Sequence, residues 1–410
     1  MRSGHRRPGS TAALRVSNER AILRELISAG PATQSELARR TQLSNASVSS
    51  IVRTLRERGM VDTSDTVSSG RKATLVTPRI ASRRVAVGVD IGRSHVGLVL
   101  ATPGLELVAE RRVSMPSGSA AEESLRQVRE LLSASLAEYE RDDDDVAAIV
   151  VAIPGPIDGA SGQVLDGTIL PEWLGRTASD VERALGMPVQ FANDADAGAL
   201  AERTWGAAID ERDYMFVKVG TGIGAGIVVG GSLYTGGFGI AGEIGHSTVD
   251  SSGSHCRCGN RGCLETVAST PVVLQHLTEA LGREVKRDEL VKLANERHRA
   301  TVRVLQDAGT SLGQSIASAV NLLGPRLVVV GGPLSETGDV FIEAIRDGFA
   351  RFAIPSVAER TRVELSTLGE GGGARGAAAI AFDRADELAY LVQSDGTSLH
   401  SGVDSNRPRP

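Results

Sequence analysis

The sequence predicts an N-terminal winged helix-turn-helix followed by a larger α/β body made of two related lobes. Three observations carry this expectation. A helix-start signature, a tight turn, an apolar helical stripe and two alternating segments follow one another within residues 18–77. Two similar strand–turn–strand openings, Val87-Gly88-Val89-Asp90-Ile91-Gly92 and Val217-Lys218-Val219-Gly220-Thr221-Gly222, lie about 130 residues apart. The charge divides as well: residues 1–80 hold 14 Lys/Arg against 6 Asp/Glu, and the remainder 31 against 44. A basic head on an acidic body suggests that the head alone meets a polyanion.

A chain of 410 residues suits two or three domains. Its 41% hydrophobic and 23% charged residues are ordinary globular usage. With only 3% aromatics the core must be built from Val, Leu, Ile and Ala. No apolar run approaches the roughly 18–20 residues that span a bilayer, so no membrane association is expected. Residues 1–10 are basic, but no hydrophobic stretch follows to make a signal peptide. The three cysteines fall within eight residues, unlike a disulfide scaffold, which points to a reducing cytoplasm.

In the head, residues 1–16 read as a loose basic arm and 17–80 as the folded module. Asn18 to Ala29 reads as a helix with Ile22, Leu23, Leu26 and Ile27 on one face. Thr33-Gln34-Ser35-Glu36 is a capping box, in which hydroxyl and carboxylate satisfy free N–H groups at a helix start. After the turn Thr41-Gln42-Leu43, Ser44 caps a third helix to about Arg58. There Val48, Ile51, Val52 and Leu55 form one buried stripe. Val61 to Val67 and Ala73 to Thr77 alternate like the strands of a wing. The third helix would enter the major groove of a double-stranded DNA operator. Its outward Asn45, Ser47, Ser49, Ser50 and Arg53 suit base edges and phosphates; Arg56, Arg58 and the wing-tip Arg71 and Lys72 suit phosphates. A small helical module for protein contact is the rival reading.

The body is expected over 84–390, with a smaller lobe of about 84–194 plus a C-terminal helix and a larger lobe of about 195–373. Strands are read at Val85 to Ile91, Val96 to Ala101, Ala147 to Ile153, Val189 to Ala192, Tyr214 to Val219, Gly226 to Val229 and Leu327 to Val330. Helices are read at about Ala120 to Tyr139, Thr301 to Leu323 and Ala374 to Leu388. The acidic run Asp142 to Asp145 reads as a solvated loop, and 391–410 as a disordered tail.

Cys256, Cys258 and Cys263 form C-x-C-x4-C, with glycines that let the chain fold around one centre. His246 is the candidate fourth ligand. His255 is a rival, but its adjacency to Cys256 makes tetrahedral closure awkward. A closed Cys₃His set suits structural zinc, which would pin residues 246–263 and so fix Glu243 and Glu265.

Gly242-Glu243-Ile244-Gly245-His246, followed by Cys256-x-Cys258-Gly259-x-x-Gly262-Cys263-Leu264-Glu265, resembles the signature of the ROK family of repressors, open reading frames and sugar kinases. The resemblance covers about residues 84–390, and the preceding winged helix resembles the family's repressor branch. It implies an actin-like (hexokinase-like) two-lobed fold of duplicated ribonuclease-H-like units. It also implies that Asn193 and Asp194 correspond to the sugar-binding Asn and the catalytic base of the kinases. Glu243, His246 and Glu265 would then be sugar ligands, as carboxylates and amides suit a polyol's hydroxyls. A carboxylate beside a hydroxyl can serve as general base. Without the resemblance, Asp194 reads equally well as a helix cap.

The same resemblance places a phosphate or nucleotide subsite at Asp90, Gly92, Ser94, Gly220, Thr221, Gly222, Gly224, Gly331 and Gly332, with ATP and Mg²⁺ as cofactors of the kinase branch. Backbone N–H groups of a glycine-rich turn can cradle phosphates. Two positions depart from the kinase pattern. Arg93 and Ser94 stand where kinases carry Gly-Thr, and Arg93 would fill the phosphate space or bind a phosphate as a cation. Ile169 stands where kinases carry a sugar-contacting Asn, which Thr168 would partly replace. The leading expectation is a regulator of carbohydrate genes, a repressor released by a sugar or sugar phosphate and working as a homodimer or dimer of dimers. The alternatives are an active ATP-dependent sugar kinase that also binds DNA, and a zinc-bearing adaptor without DNA.

Overall fold

The computed structural model describes residues 18–383 except 20, 24, 27, 28, 69, 70, 79–83, 103, 104, 160, 166 and 168. The expected arm, the expected tail and Thr168 lie outside the described residues, as do Ile27 and the side chain of Arg71. The chain divides into two compact units between Arg84 and Val85.

In the first unit, helical residues within 18–29 bury Ile22, Leu23 and Leu26. Helix Gln34–Thr41 opens on the expected capping box: Thr33 Oγ1 accepts from Glu36 N–H at 3.3 Å, and Glu36 Oε2 accepts from Thr33 N–H at 2.8 Å. Gln42 ends it in the left-handed conformation (φ 57°), which turns the chain into the next helix. Ser44 caps helix Asn45–Glu57, whose Val48, Ile51, Val52 and Leu55 are all buried. Strands Val61–Ser68 and Arg71–Pro78 pair along their full length and are longer than the alternation suggested. A third strand, Ala32–Thr33, pairs with Val76 and Leu75. Two residues are too few to show a period, so the sequence could not announce it.

The second unit contains two five-stranded sheets with the same plan. In one the order is Leu107–Ser114, His95–Ala101, Val85–Gly92, Val146–Ile153, Val189–Asn193. In the other it is Ser232–Leu233, Ile223–Val229, Tyr214–Val219, Leu327–Gly331, Arg362–Leu365. Each central strand pairs antiparallel with its hairpin partner and parallel with the next strand on the other side. Asp90 and Lys218 thus occupy comparable positions near the ends of the two central strands. Each sheet has its own apolar core, one around Val87, Leu98, Val128, Val151 and Trp173, the other around Val217, Leu312, Val328 and Phe341.

Helix Asp194–Trp205 follows the first sheet directly and packs on strand Ile223–Val229 of the second. The C-terminal helix Gly372–Asp383 lies against the first sheet so closely that a β-carbon at Gly88 would sit 2.0 Å from the Ala374 carbonyl oxygen. Only glycine permits that approach. The helix starts two residues before the expected Ala374, and its expected end at Leu388 lies outside the described residues.

Three readings need correction. The acidic run is solvated at Asp142, Asp143 and Asp144, as expected, but it is an ordered turn rather than a loose loop: Asp142 Oδ1 accepts from Asp144 N–H at 3.0 Å, Asp145 is buried, and Arg129 pairs with Asp143 at 2.6 Å. Local side-chain capping outweighs the mutual repulsion of four carboxylates. The strand read at Gly226 begins at Ile223, so Gly224 is a strand residue opposite Lys218 rather than part of the turn. Leu107–Ser114, not read as a strand, pairs with His95–Ala101 at the sheet edge.

Candidate functional site

On the first unit, Asn45, Ser50 and Arg53 are exposed on helix Asn45–Glu57, and Lys72 is exposed on the wing. Ser47 and Ser49 are half-buried, and Ser47 Oγ lies 2.8 Å from Ser44 Oγ. Arg56 donates to Thr63 Oγ1 at 3.3 Å and thereby braces the helix against the wing. Arg58 pairs with Glu19 at 3.0 Å through Nη1, while more than half of its side chain stays exposed.

On the second unit, a cleft of about 180 Å³ lies between the sheets. It gathers Asp90, Gly92, Ser94, Asn193, Asp194, Gly220, Thr221, Gly222, Gly224, Glu243, His246, Glu265 and Gly332. Gly331 does not line it; that glycine ends its strand beside the Phe216 ring. Residues that sequence reasoning left unassigned also line it, among them His95, Arg112, Lys218, Arg287 and Glu370.

Asn193 caps helix Asp194–Trp205: Oδ1 accepts from Ala195 and Asp196 N–H at 2.8 and 3.2 Å, and Nδ2 donates to the Gly155 carbonyl at 3.0 Å. The capping role belongs to Asn193, so Asp194 begins the helix with its carboxylate directed to other work. Lys218 Nζ donates to Asp194 Oδ2 at 2.7 Å. Burial works against the charged form of Lys218, but Asp194 and Asp90 outweigh it and raise its pKa.

Asp90 is buried and its Oδ2 lies 3.0 Å from His95 Nε2. Burial favours the neutral acid there, yet Lys218, His95 and Arg112 together hold the carboxyl well below the usual range. Asp196, two residues beyond Asp194, goes the other way. Burial, then the charges of Asp194 and Glu243, push it up to about 7.

Glu243 and His246 come from the short turn after Gly242. That glycine has φ +94°, and a β-carbon there would meet the Ala225 carbonyl oxygen at 1.8 Å. His246 Nε2 lies 3.9 Å from Glu243 Oε2, while Nδ1 lies 3.6 Å from Cys256 Sγ. Cys258 and Cys263 Sγ are 3.8 Å apart, and all four ligand atoms lie within 4.8 Å of one another. Tetrahedral zinc, with bonds of about 2.0–2.3 Å, sets its ligands roughly 3.5–3.8 Å apart. The donor set and spacing fit a metal ion held by His246, Cys256, Cys258 and Cys263. His255 is instead engaged with Arg261 at 2.7 Å. Glu265 is buried beside this cage, accepting from Ile223 N–H at 3.2 Å and from Arg257 at 3.1 Å.

Comparisons with known proteins agree on both units. The ROK family model matches residues 86–384, and a MarR family model matches residues 17–72. The chain is 29% identical over 374 residues to a putative xylose repressor from Caldicellulosiruptor sp. (strain Rt8B.4), covering 88% of this chain and 94% of that one. It resembles the crystal structure of a ROK family transcriptional regulator, a homolog of the E. coli MLC protein, with TM-score 0.75 and 25% identity over 92% of this chain and 98% of that one. It also resembles a ROK family glucokinase from Streptomyces griseus solved with glucose and AMPPNP, with TM-score 0.63 and 26% identity over 72% of this chain and 98% of that one.

Proposed function

The chain belongs to the ROK family, and from that premise we propose that it is a sugar-responsive, DNA-binding transcriptional regulator that represses carbohydrate genes. One observation carries the reading: a winged helix with a polar exposed face and a polyol-type cleft occur in a single chain. Asn45, Ser47, Ser49, Ser50, Arg53, Arg71 and Lys72 would meet the operator, and Asn193, Asp194, Glu243, His246, Glu265 and Thr168 the sugar. Residues 17–80 and 84–390 would be the two domains. Zinc on His246 and the three cysteines would be structural, fixing Glu243 and Glu265 and leaving no open coordination position. Two heads per operator require a homodimer or a dimer of dimers. Among the described residues no helix is long and apolar enough to cross a membrane. A DNA target and three clustered thiols would suit a reducing cytoplasm.

Sugar bound between the lobes acts on DNA only if it binds the two operator states of the protein unequally. The coupling is typically about 1–3 kcal/mol. The test is a gel-shift titration of the promoter next to the protein's own gene, repeated with a panel of sugars and sugar phosphates. Release by a ligand at saturating concentration, absent in Glu243→Ala and Glu265→Ala, is the expected result. Operator binding indifferent to every ligand would overturn the sugar-responsive part. No DNA binding by the full chain would overturn the whole.

A second reading, an ATP-dependent sugar kinase, is favoured by the retained Asp194 in a kinase-type cleft. Against it, Lys218 occupies Asp194 Oδ2, and Arg93 replaces a small residue on the phosphate turn. Phosphoryl transfer rests on positioning, so such changes matter. ADP release across common hexoses and amino sugars, abolished by Asp194→Asn, would establish it.

A further inference from the structure

The regulator reading leaves the chemical class of the effector open, and the cleft's cations bear on it. Among the described residues of the cleft wall, most of the positive side chains are matched with a carboxylate. Lys218 is with Asp194, and His95 with Asp90. Arg112 is paired with Glu370 at 3.0 Å, and Arg287 with both Glu370 and Glu336. Arg93 differs: it lines the cleft half-buried, and its Nη1 donates to the Ile169 carbonyl oxygen at 3.2 Å. A guanidinium has five N–H donors, so one carbonyl leaves most of them for another acceptor. Full charge facing a carbonyl alone, in a partly desolvated cleft, favours an anion.

Arg93's position says which anion. A β-carbon at Gly222 would lie 2.7 Å from both Glu265 Oε2 and Ile169 Cδ1. Ile169, Gly222 and Glu265 therefore converge on one wall, the one assigned to sugar hydroxyls. Arg93 reaches that wall from the phosphate turn, and Ser94 and Thr221 line the same cleft. Asp194 does not repel a phosphate as a bare carboxylate would, since Lys218 neutralises it at 2.7 Å. Farther along, the Arg112–Glu370–Arg287–Glu336 chain of ion pairs occupies the side bounded by Gly332, Pro333 and Gly369.

We propose that the effector is a phosphorylated sugar and that Arg93 takes its phosphate while Glu243, His246 and Glu265 take its hydroxyls. The proposal rests on the regulator reading and narrows its ligand. A phosphate on the sugar and a phosphate on a nucleotide share the chemistry that Arg93 recognises; the ion-pair chain favours the sugar.

The test is calorimetry on the zinc-loaded full chain with matched pairs: glucose and its 6-phosphate, N-acetylglucosamine and its 6-phosphate, ribose and its 5-phosphate. Inorganic phosphate and ATP are separate arms. At least one phosphorylated sugar is expected to bind ten-fold or more tighter than its free form. Arg93→Gln, which keeps a polar side chain but not the charge, should collapse that ratio, and Arg93→Lys should keep part of it. Thermal melts without ligand establish that the variants are folded. Free sugars binding as well as their phosphates and releasing DNA would overturn this inference and leave the regulator reading intact. ATP binding through Arg93 with no preference for phosphorylated sugars would also overturn it. So would a preference untouched by Arg93→Gln. Silence from every ligand would overturn this inference together with the sugar-responsive part of the regulator reading.

Discussion

Lys218 Nζ sits 2.7 Å from Asp194 Oδ2, and its charge is also a principal support of the buried carboxylate of Asp90. One ammonium from the central strand of the second sheet thus serves acids from the first sheet and from the helix that follows it. Removing one partner of a buried pair costs about 3–5 kcal/mol; this one retains some solvent, so about 2 kcal/mol is expected for Lys218→Met. Urea unfolding should show that loss, and the loss should shrink when Asp194→Asn is added. An equal cost in both backgrounds would mean that the pair contributes no coupling.

Asp196 predicts the pH dependence of stability. Its folded pKa of about 7 lies above the ordinary Asp value of 3.8, so the folded state binds the proton more tightly than the unfolded one. The penalty for ionising it is absent below about pH 4, grows up to about pH 7 and is constant beyond. Asp196→Asn should therefore stabilise by up to roughly 4 kcal/mol at pH 8 and by nothing near pH 4. Melting curves across that range check the sign. Asp90 has the opposite slope: its depressed pKa gives stability present above about pH 4 and lost as pH falls further.

The elements written in local chemistry were legible: the box at Thr33 and Glu36, the stripe from Val48 to Leu55, the C-x-C-x4-C loop. So was the duplication, because both central strands open on a similar motif. Residues that matter through distant partners were not. Arg112, Arg287 and Glu370 meet only once the fold brings together positions 258 residues apart at the extreme. Lys218 left one usable signal, a lone cation between Val217 and Val219 in a strand buried on most of its length. A charge in such a run needs a buried partner. Arg58 shows the same limit: spacing put it on a polar helix face but could not show that Glu19 of an earlier helix pairs with it.

Arg53 is exposed on the helix proposed to enter the groove. If it reads a guanine edge, Arg53→Ala should cost about 1–3 kcal/mol of operator affinity and relax specificity at one base pair. Lys72→Ala on the wing should weaken specific and nonspecific DNA alike and flatten the salt dependence. Fluorescence anisotropy at two salt concentrations separates the two. Equal, sequence-independent losses for both would place Arg53 on the backbone.

Metal removal tests how the cage supports the sugar wall. The three thiolates and His246 Nδ1 would converge on one ion, and Glu265 follows Cys263 by two residues. Without the ion, the thiols lose their common centre, and the turn that carries Glu243 loses its tie through His246. The fold should persist, because the two apolar cores are built mainly from the sheets and helices, with only Val249 of this loop and its neighbours Ile244 and Leu264 packed into them. Cys258→Ser should therefore abolish stoichiometric zinc, lower the melting temperature by several degrees and weaken ligand binding at least ten-fold. DNA binding by the first unit should survive, since it has its own core of Ile22, Leu26, Val48 and Leu55. Metal analysis, melting curves and calorimetry on one preparation give all these readings. Full ligand affinity in the zinc-free variant would show that Glu243 and Glu265 are positioned by the protein alone.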